Sequence, residues 1–387
     1  MGDLPSSVYL HFPFCARKCF YCDFPSYAGR LGDIDRYLRA LEREIRQAGT
    51  LQAPGLPPTP LQTVYVGGGT PTLAGAERMV ELLDTLRAVF PWATDAEVTV
   101  EANPGTVHKA DFERMRRGGI NRISFGLQAW QPSLLKRLGR IHTAEDFVEA
   151  FTAARKAGFD NLSADLMLGL PGQTLGDVRE TVSRVIDIGA DHVSFYSLQI
   201  EEGTPFYDWY ESGELILPDE EIERAMYHET RRLLRESGRE PYEISSAALP
   251  GRACRHNLTY WRAEEYFGFG CAAHGYFDRV RRANHAALDD YLQAVEHGDT
   301  APFPASQVLE TLDRDAQMKE VMMLAFRTDA GVDAASYTRR FGEPPDERFG
   351  ETLASLVIRG LIAETPRGWA LTGRGLDFAN QVFMEFV

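Results

Sequence analysis

The chain has 387 residues, 44% of them apolar and 25% charged, which suits a soluble globular protein with more than one folding unit. Its 41 Lys and Arg against 56 Asp and Glu give a net charge of −15, so a nucleic-acid partner is not expected. No run reaches the roughly 18 apolar residues of a membrane helix, and MGDLPSSVYLHF lacks the basic start and apolar core of a signal peptide; a cytoplasmic location is expected, with peripheral membrane contact left open.

In chain order, SVYLHF (Ser7–Phe12) reads as a strand, and Ile34, Tyr37, Leu38, Leu41 and Ile45 follow helical spacing. APGLPPTP (Ala53–Pro60) must be a surface connection. TVYV (Thr63–Val66) is a second strand, with a helix around Glu77–Val89. EVTVEA, RISFGLQ, NLSADLML and HVSFYSLQ (His192–Gln199) are the third to sixth strands, separated by helical stretches. Such alternation implies a parallel sheet with right-handed crossovers, here a partial six-unit α/β barrel. Chemistry in barrels of this kind sits at the C-terminal strand ends. The first strand runs into three cysteines and the second into GGGTPT; Glu101 and Gln128 close the third and fourth, and the fifth carries Asp165.

From Pro218 a charged amphipathic helix runs to Gly238, followed by an aromatic, glycine-rich segment, Tyr242 to Tyr276. The remainder, from about Ser306, reads as three helices, a short hairpin around PRGW and a last helix, a winged-helix-like arrangement. Residues 305–387 hold nine basic and thirteen acidic side chains, so this unit is read as a packing or partner-docking domain rather than a DNA reader. The expected divisions are 1–217 for the barrel, with a metal-binding loop at 12–24, then 218–304, then 305–387.

Cys15, Cys19 and Cys22, three of five cysteines, lie in HFPFCARKCFYCDF. In a reducing compartment such clustering reads as metal ligation. The spacing is one cysteine short of a structural zinc site. His11 could complete one, but its direction is fixed by the first strand. A four-iron cluster on three thiolates instead leaves one iron open to an exogenous ligand. GGGTPT (Gly67–Thr72) lacks the lysine of a phosphate-binding loop, so nucleoside triphosphates are not expected. Its glycines would let the backbone approach a ligand and present N–H groups to it.

The C-x₃-C-x-aromatic-C pattern, with Tyr21 as the aromatic, resembles the signature of the radical S-adenosylmethionine (SAM) superfamily. The resemblance implies a 4Fe-4S cluster on Cys15, Cys19 and Cys22. Its open iron would be chelated by the amino and carboxylate groups of SAM, and the reduced cluster would cleave SAM to a 5′-deoxyadenosyl radical if an electron donor is present. Gly68, Gly69 and Thr70 would take the methionine end. VYLHFPFC, VEANP, GRIH, ADLMLGLPGQT and YSLQIEEGTPF extend the similarity, over nearly the whole chain, to oxygen-independent coproporphyrinogen dehydrogenases and their relatives. By that resemblance Tyr9 and Tyr21 contact SAM near the cluster, and Glu101, Gln128, Arg140 and Asp165 bind its other polar groups.

Two features depart from the decarboxylating enzymes. Phe24 stands where they carry a further cysteine, and the first strand begins by about Val8, without their N-terminal extension. CDF (Cys22–Phe24) and HNLTYW (His256–Trp261) are instead similar to the HemW-type haem chaperones. That resemblance implies haem binding, with His256 as candidate axial ligand and acceptor haemoproteins, respiratory ones among them, as partners. The residues alone leave two readings: a haem slot around His256, Tyr260, Trp261, Tyr266, Phe267 and Phe269, or a satisfied core cluster. Cys254 and Cys271 read first as buried small hydrophobes; with His274 they are reserve iron ligands. The rival function is a radical SAM enzyme acting on a porphyrin.

Overall fold

The computed structural model describes residues 4–52, 59–298 and 300–387. Six strands run parallel in sequence order: β1 (Ser7–Phe12), β2 (Leu61–Gly68), β3 (Trp92–Ala102), β4 (Arg122–Gln128), β5 (Leu162–Leu168) and β6 (His192–Ser197). Helices Ile34–Ala48, Ala76–Val89, Lys109–Arg117, Ala144–Lys156 and Leu175–Asp187 form the crossovers. The partial α/β barrel expected from the alternation is thus present. The connection expected over 53–60 lies mostly outside the described residues.

Strand alternation divides the side chains cleanly. Val8, Leu10, Val64, Val66, Val98, Val100, Ile123, Phe125 and Leu162 face the helices and are buried with Leu38, Leu41, Leu82, Leu83 and Phe112. Burying each such side chain contributes roughly 1.5–3 kcal/mol. The other face carries Tyr9, Tyr65, Glu101, Arg122, Ser124 and Asp165, placed by registers such as Tyr9 with Tyr65 and Glu101 with Ser124. A polar barrel interior forfeits apolar burial, so it is kept for what it binds.

The sheet is wider than expected. Phe267–Phe269 adds a strand parallel to β1, and Ser246–Ala248 and Glu240–Glu243 extend it antiparallel beyond β6. Phe267 and Phe269 are therefore core residues, 1% and 0% exposed. They line no haem slot: their alternation packs them against the outer helices, a pairing that an irregular glycine-rich stretch did not advertise.

The segment opening at Ser306 also differs from expectation. Ser306–Thr311 is a strand, paired antiparallel with Val280–Asn284. Helices Arg314–Ala325, Ala334–Phe341 and Pro345–Ile358 follow, then a hairpin of Ile362–Thr365 and Gly368–Leu371. The last helix is broken at Phe378 into Gly373–Asp377 and Ala379–Phe383. Met318, Met322, Phe326, Tyr337, Leu353 and Leu356 give this unit its own core. The Arg231–Asp329 ion pair at 2.6 Å and the Asp329 N–H donating to the Tyr242 carbonyl at 3.0 Å fasten it to the barrel edge.

Candidate functional site

A cleft of about 540 Å³ opens at the C-terminal ends of the strands. Cys15, Cys19, Tyr21 and Cys22 line it together with Gly68, Gly69, Thr70, Glu101, Gln128, Arg140 and Asp165. Eleven of the residues expected at the site thus share one cavity. Tyr9 and His256 do not line it.

The cysteine loop leaves β1 through Phe14–Cys15, which pairs with Tyr27–Ala28. Phe20 pins the loop: its N–H donates to the Leu138 carbonyl and its carbonyl accepts from Phe206, each at 3.0 Å. Its ring meets Trp209 edge-on at 5.2 Å and lies so close to Gly139 that a Cβ there would come within 3.0 Å of it.

Two of the sulfurs are joined by an arc of polar side chains. Thr70 Oγ1 donates to Cys15 Sγ at 3.7 Å and accepts from Asn103 Nδ2 at 2.7 Å. Asn103 Oδ1 accepts from Arg140 at 2.8 Å, and Arg140 donates to Cys19 Sγ at 3.6 Å. Burial, reinforced by its two sister thiols, pushes the Cys22 thiol up to about 11. A thiol that resists ionisation alone becomes a thiolate when a cation binds it. Arg140 brings the same kind of charge to Cys19.

The glycines serve differently than expected. A Cβ on Gly69 would lie 2.5 Å from the Phe14 carbonyl oxygen, and one on Gly68, where φ is +113°, 2.6 Å from the His11 ring. Only glycine fits either position. Yet the N–H groups are committed within the protein: Gly68 to Glu101 at 3.0 Å, Gly69 to the Phe12 carbonyl and Thr70 to the Phe14 carbonyl, both at 2.8 Å. The glycines bring strand and cysteine loop together rather than offering a row of free donors.

Glu101 also accepts from the Tyr65 hydroxyl at 2.8 Å. Burial, then the nearby Asp165 carboxylate, pushes Glu101 up to about 7. Ser124 donates to both Asp165 oxygens, at 3.0 and 3.2 Å. Burial raises Asp165 as well, and Arg122 beneath opposes the shift without cancelling it. Two carboxylates short of positive charge suit a ligand bearing an ammonium and ribose hydroxyls. Gln128 sits at φ +65° where β4 slips register, and its Oε1 is buried without a partner. Such strain, with an unmet acceptor beside it, marks a position held for a ligand. The donor set and the unmet polar atoms fit an iron–sulfur cluster with SAM.

His256 is elsewhere. Its helix, Arg255–Trp261, packs into the barrel interior, with the Arg255 and His256 N–H groups donating to Glu97. The ring is 1% exposed; Thr63 Oγ1 holds Nδ1 at 2.7 Å and the Tyr260 hydroxyl holds Nε2 at 2.8 Å. Burial first, and Arg122 second, lower it to about 3, so it is neutral. Of the two readings open in the sequence, this conformation is the satisfied core cluster. Tyr9 packs on the same group, stacked on Tyr65 at 6.2 Å and near His256 at 6.5 Å, with its hydroxyl on His11. His11 turns its other nitrogen to the Pro25 carbonyl, away from any zinc role. Cys254 and Cys271 are 0% exposed, and His274 is exposed.

Several cleft residues carry no distinguishing signal in the sequence: Asn103 is one polar residue inside VEANP, and Tyr196 stands near the end of β6. Asn257 and Trp261, of the same short helix as His256, line the cleft with Arg327 of the C-terminal unit.

Comparison with known proteins adds the family. A sequence model described as the radical SAM superfamily matches residues 9–185, and one described as the HemN C-terminal domain matches residues 312–378. "Heme chaperone HemW" of Bacillus subtilis is 37% identical, with 98% of this chain and 99% of that protein covered. The protein of that name from Escherichia coli is 40% identical, covering 99% and 98%. A mitochondrial protein of Bos taurus named for its radical S-adenosyl methionine domain is 34% identical, covering 100% and 88%. The solved structure of coproporphyrinogen III oxidase HemN from Escherichia coli superposes with a TM-score of 0.84 at 23% identity, over 99% of this chain and 90% of that one. That likeness is one of fold.

Proposed function

Because this chain belongs to the HemW family of the radical SAM superfamily, we propose that it holds a 4Fe-4S cluster and SAM at the barrel mouth, binds haem, and passes haem to acceptor haemoproteins. The observation that carries the cofactor half is the arc Cys15–Thr70–Asn103–Arg140–Cys19, opening on the same cleft as Cys22, Glu101 and Asp165. Cys15, Cys19 and Cys22 would hold the cluster; Glu101, Gln128 and Asp165 would orient the amino-acid and ribose side of SAM. A cluster held there would supply, when reduced by a donor, an electron for cleaving SAM. The protein's own part is to keep that carboxylate pair and the Arg140 charge in place around the loop.

For haem, the support is the full-length similarity to chaperones of that name. Ligation through His256 requires Thr63 and Tyr260 to release the ring, whereas exposed His274 needs no such movement. The acceptors are assigned to the respiratory class and the location to the cytoplasm; among the described residues no helix is long and apolar enough to cross a membrane. Phe24, 54% exposed on the cleft wall, stands where decarboxylating relatives carry cysteine and favours haem delivery over porphyrin oxidation.

The test pairs two assays on anaerobically reconstituted protein. Haemin is titrated and followed at its Soret band, and coproporphyrinogen is supplied with dithionite and SAM. Saturable haemin binding without carbon dioxide release is expected. Turnover of coproporphyrinogen to protoporphyrinogen would overturn the chaperone reading.

A further inference from the structure

Besides Arg17 and Lys18 of the cysteine loop, one cation in the cleft has no use in the function described so far. Arg327 follows the first helix of the C-terminal unit, yet its side chain lines the same cavity as the three cysteines. Its backbone is fixed there. The Arg327 carbonyl accepts from the Ile244 N–H at 3.0 Å, and Thr328 bridges to Glu243 on the barrel edge beyond β6. The guanidinium lies 4.3 Å from the Trp261 ring and 5.8 Å from the Phe383 ring. Stacking of this kind fixes the plane of the fork and leaves its edge free to donate.

The donors are unmet. Arg327 Nε and Trp261 Nε1 are both buried without a hydrogen-bond partner. Among the described residues, no carboxylate lies within 4.0 Å of the Arg327 guanidinium. Glu243 acts on it electrostatically from beyond that distance, without a direct bond, and accepts from the Ser245 N–H at 3.0 Å. Asp329, two residues on, is taken by Arg231 at 2.6 Å. A half-buried guanidinium with no direct ion pair and an unmet N–H is costly. The cost is recovered when an anion arrives, and a planar fork beside an indole N–H suits a carboxylate.

We propose that Arg327, backed by Trp261, is a carboxylate-binding residue that the C-terminal unit contributes to the cleft. The cysteine loop leaves β1, while Arg327 is fastened beyond β6, so a ligand spanning strand order would meet both. Assigning the carboxylate to a haem propionate rests on the haem reading above. The other source of the same chemistry is a SAM molecule whose carboxylate is not held by the cluster.

The experiment uses the full-length, reconstituted chain and three ligands: haemin, haemin dimethyl ester and SAM. R327Q is expected to weaken haemin binding about tenfold, the scale of one charge-assisted pair, while leaving the ester unchanged. R327K, which keeps the charge but loses the fork, should fall between, with melting temperatures reported for both variants. If R327Q weakens SAM and not haemin, the subsite stands and its carboxylate is that of SAM. If wild-type protein binds no haemin, the haem reading fails and the SAM arm alone decides the subsite. Unchanged affinity of R327Q for both haemin and SAM overturns the proposal. Should R327Q fold poorly, the wild-type preference for haemin over its ester, reduced in R327K, gives the same reading.

Discussion

The Arg140 guanidinium donates to the Cys19 sulfur at 3.6 Å while its other amino group holds Asn103 at 2.8 Å. One side chain therefore supplies charge to a thiol and rigidity to the arc that ends at Cys15. Replacing it by methionine keeps the bulk and removes both effects. Arg140→Met is expected to retain less than half the wild-type iron and acid-labile sulfide after reconstitution. Arg140→Lys, with charge but no fork, should lie between.

The five cysteines divide by environment. Cys15, Cys19 and Cys22 share the cleft, whereas Cys254 and Cys271 are sealed and burial pushes each thiol up to about 12. Alanine at any of the first three should abolish cluster retention, read as iron and sulfide per chain. Cys254→Ala and Cys271→Ala should keep the cluster and instead lower stability by roughly 1–2 kcal/mol for the lost sulfur contacts, read by chemical denaturation.

What the sequence disclosed follows from how each feature is encoded. Barrel strands alternate over five or more residues, so β1 to β6 and their rim groups could be read from local pattern. Phe267–Phe269 is only three residues long and pairs with β1 across most of the chain. Its alternation is too short to separate a strand from an aromatic cluster, so the residues alone leave a haem slot open there. The cysteine spacing encoded the loop, but Asn103, which closes the arc, is one polar residue after a strand and looks like any other. Arg327 is further out of reach, since its place in the cleft depends on how a separate unit docks. The sealing of His256 is of the same kind: Thr63 is 193 positions away.

Glu101 couples the site to pH. Its folded value, pushed up to about 7 by burial, lies above the ordinary carboxylate range. A raised carboxylate favours the fold fully at low pH, and that contribution is lost as pH rises through 7. Glu101→Gln should therefore flatten the decline in apo-protein melting temperature between pH 5 and 8. A ligand cation favours the ionised form, so SAM affinity in wild-type protein should rise across pH 6 to 7.5. In Glu101→Gln it should be weaker by about tenfold or more and flat with pH. Anaerobic calorimetry at matched ionic strength checks both.

His256 titrates with the opposite consequence. Its folded value is lowered to about 3, chiefly by burial, against an ordinary value near 6.5. A depressed histidine contributes stability that is present above about pH 6.5 and is lost as pH falls toward its folded value. Both ring nitrogens are bonded, so His256→Ala removes two hydrogen bonds and leaves a cavity beside Tyr65 and Tyr260. A loss of about 2–4 kcal/mol at pH 7.5 is expected, with a shallower decline on acidification than in wild type. This effect needs no haem, and it separates two roles that a simple knockout would merge. His256→Gln can keep one bond to Thr63 or Tyr260 and should recover part of the stability. If haemin affinity in His256→Gln equals wild type while His274→Ala weakens it, the HNLTYW histidine builds the barrel floor and the ligand lies outside it. If His256→Gln folds and loses haemin, the short helix must open to deliver its ring.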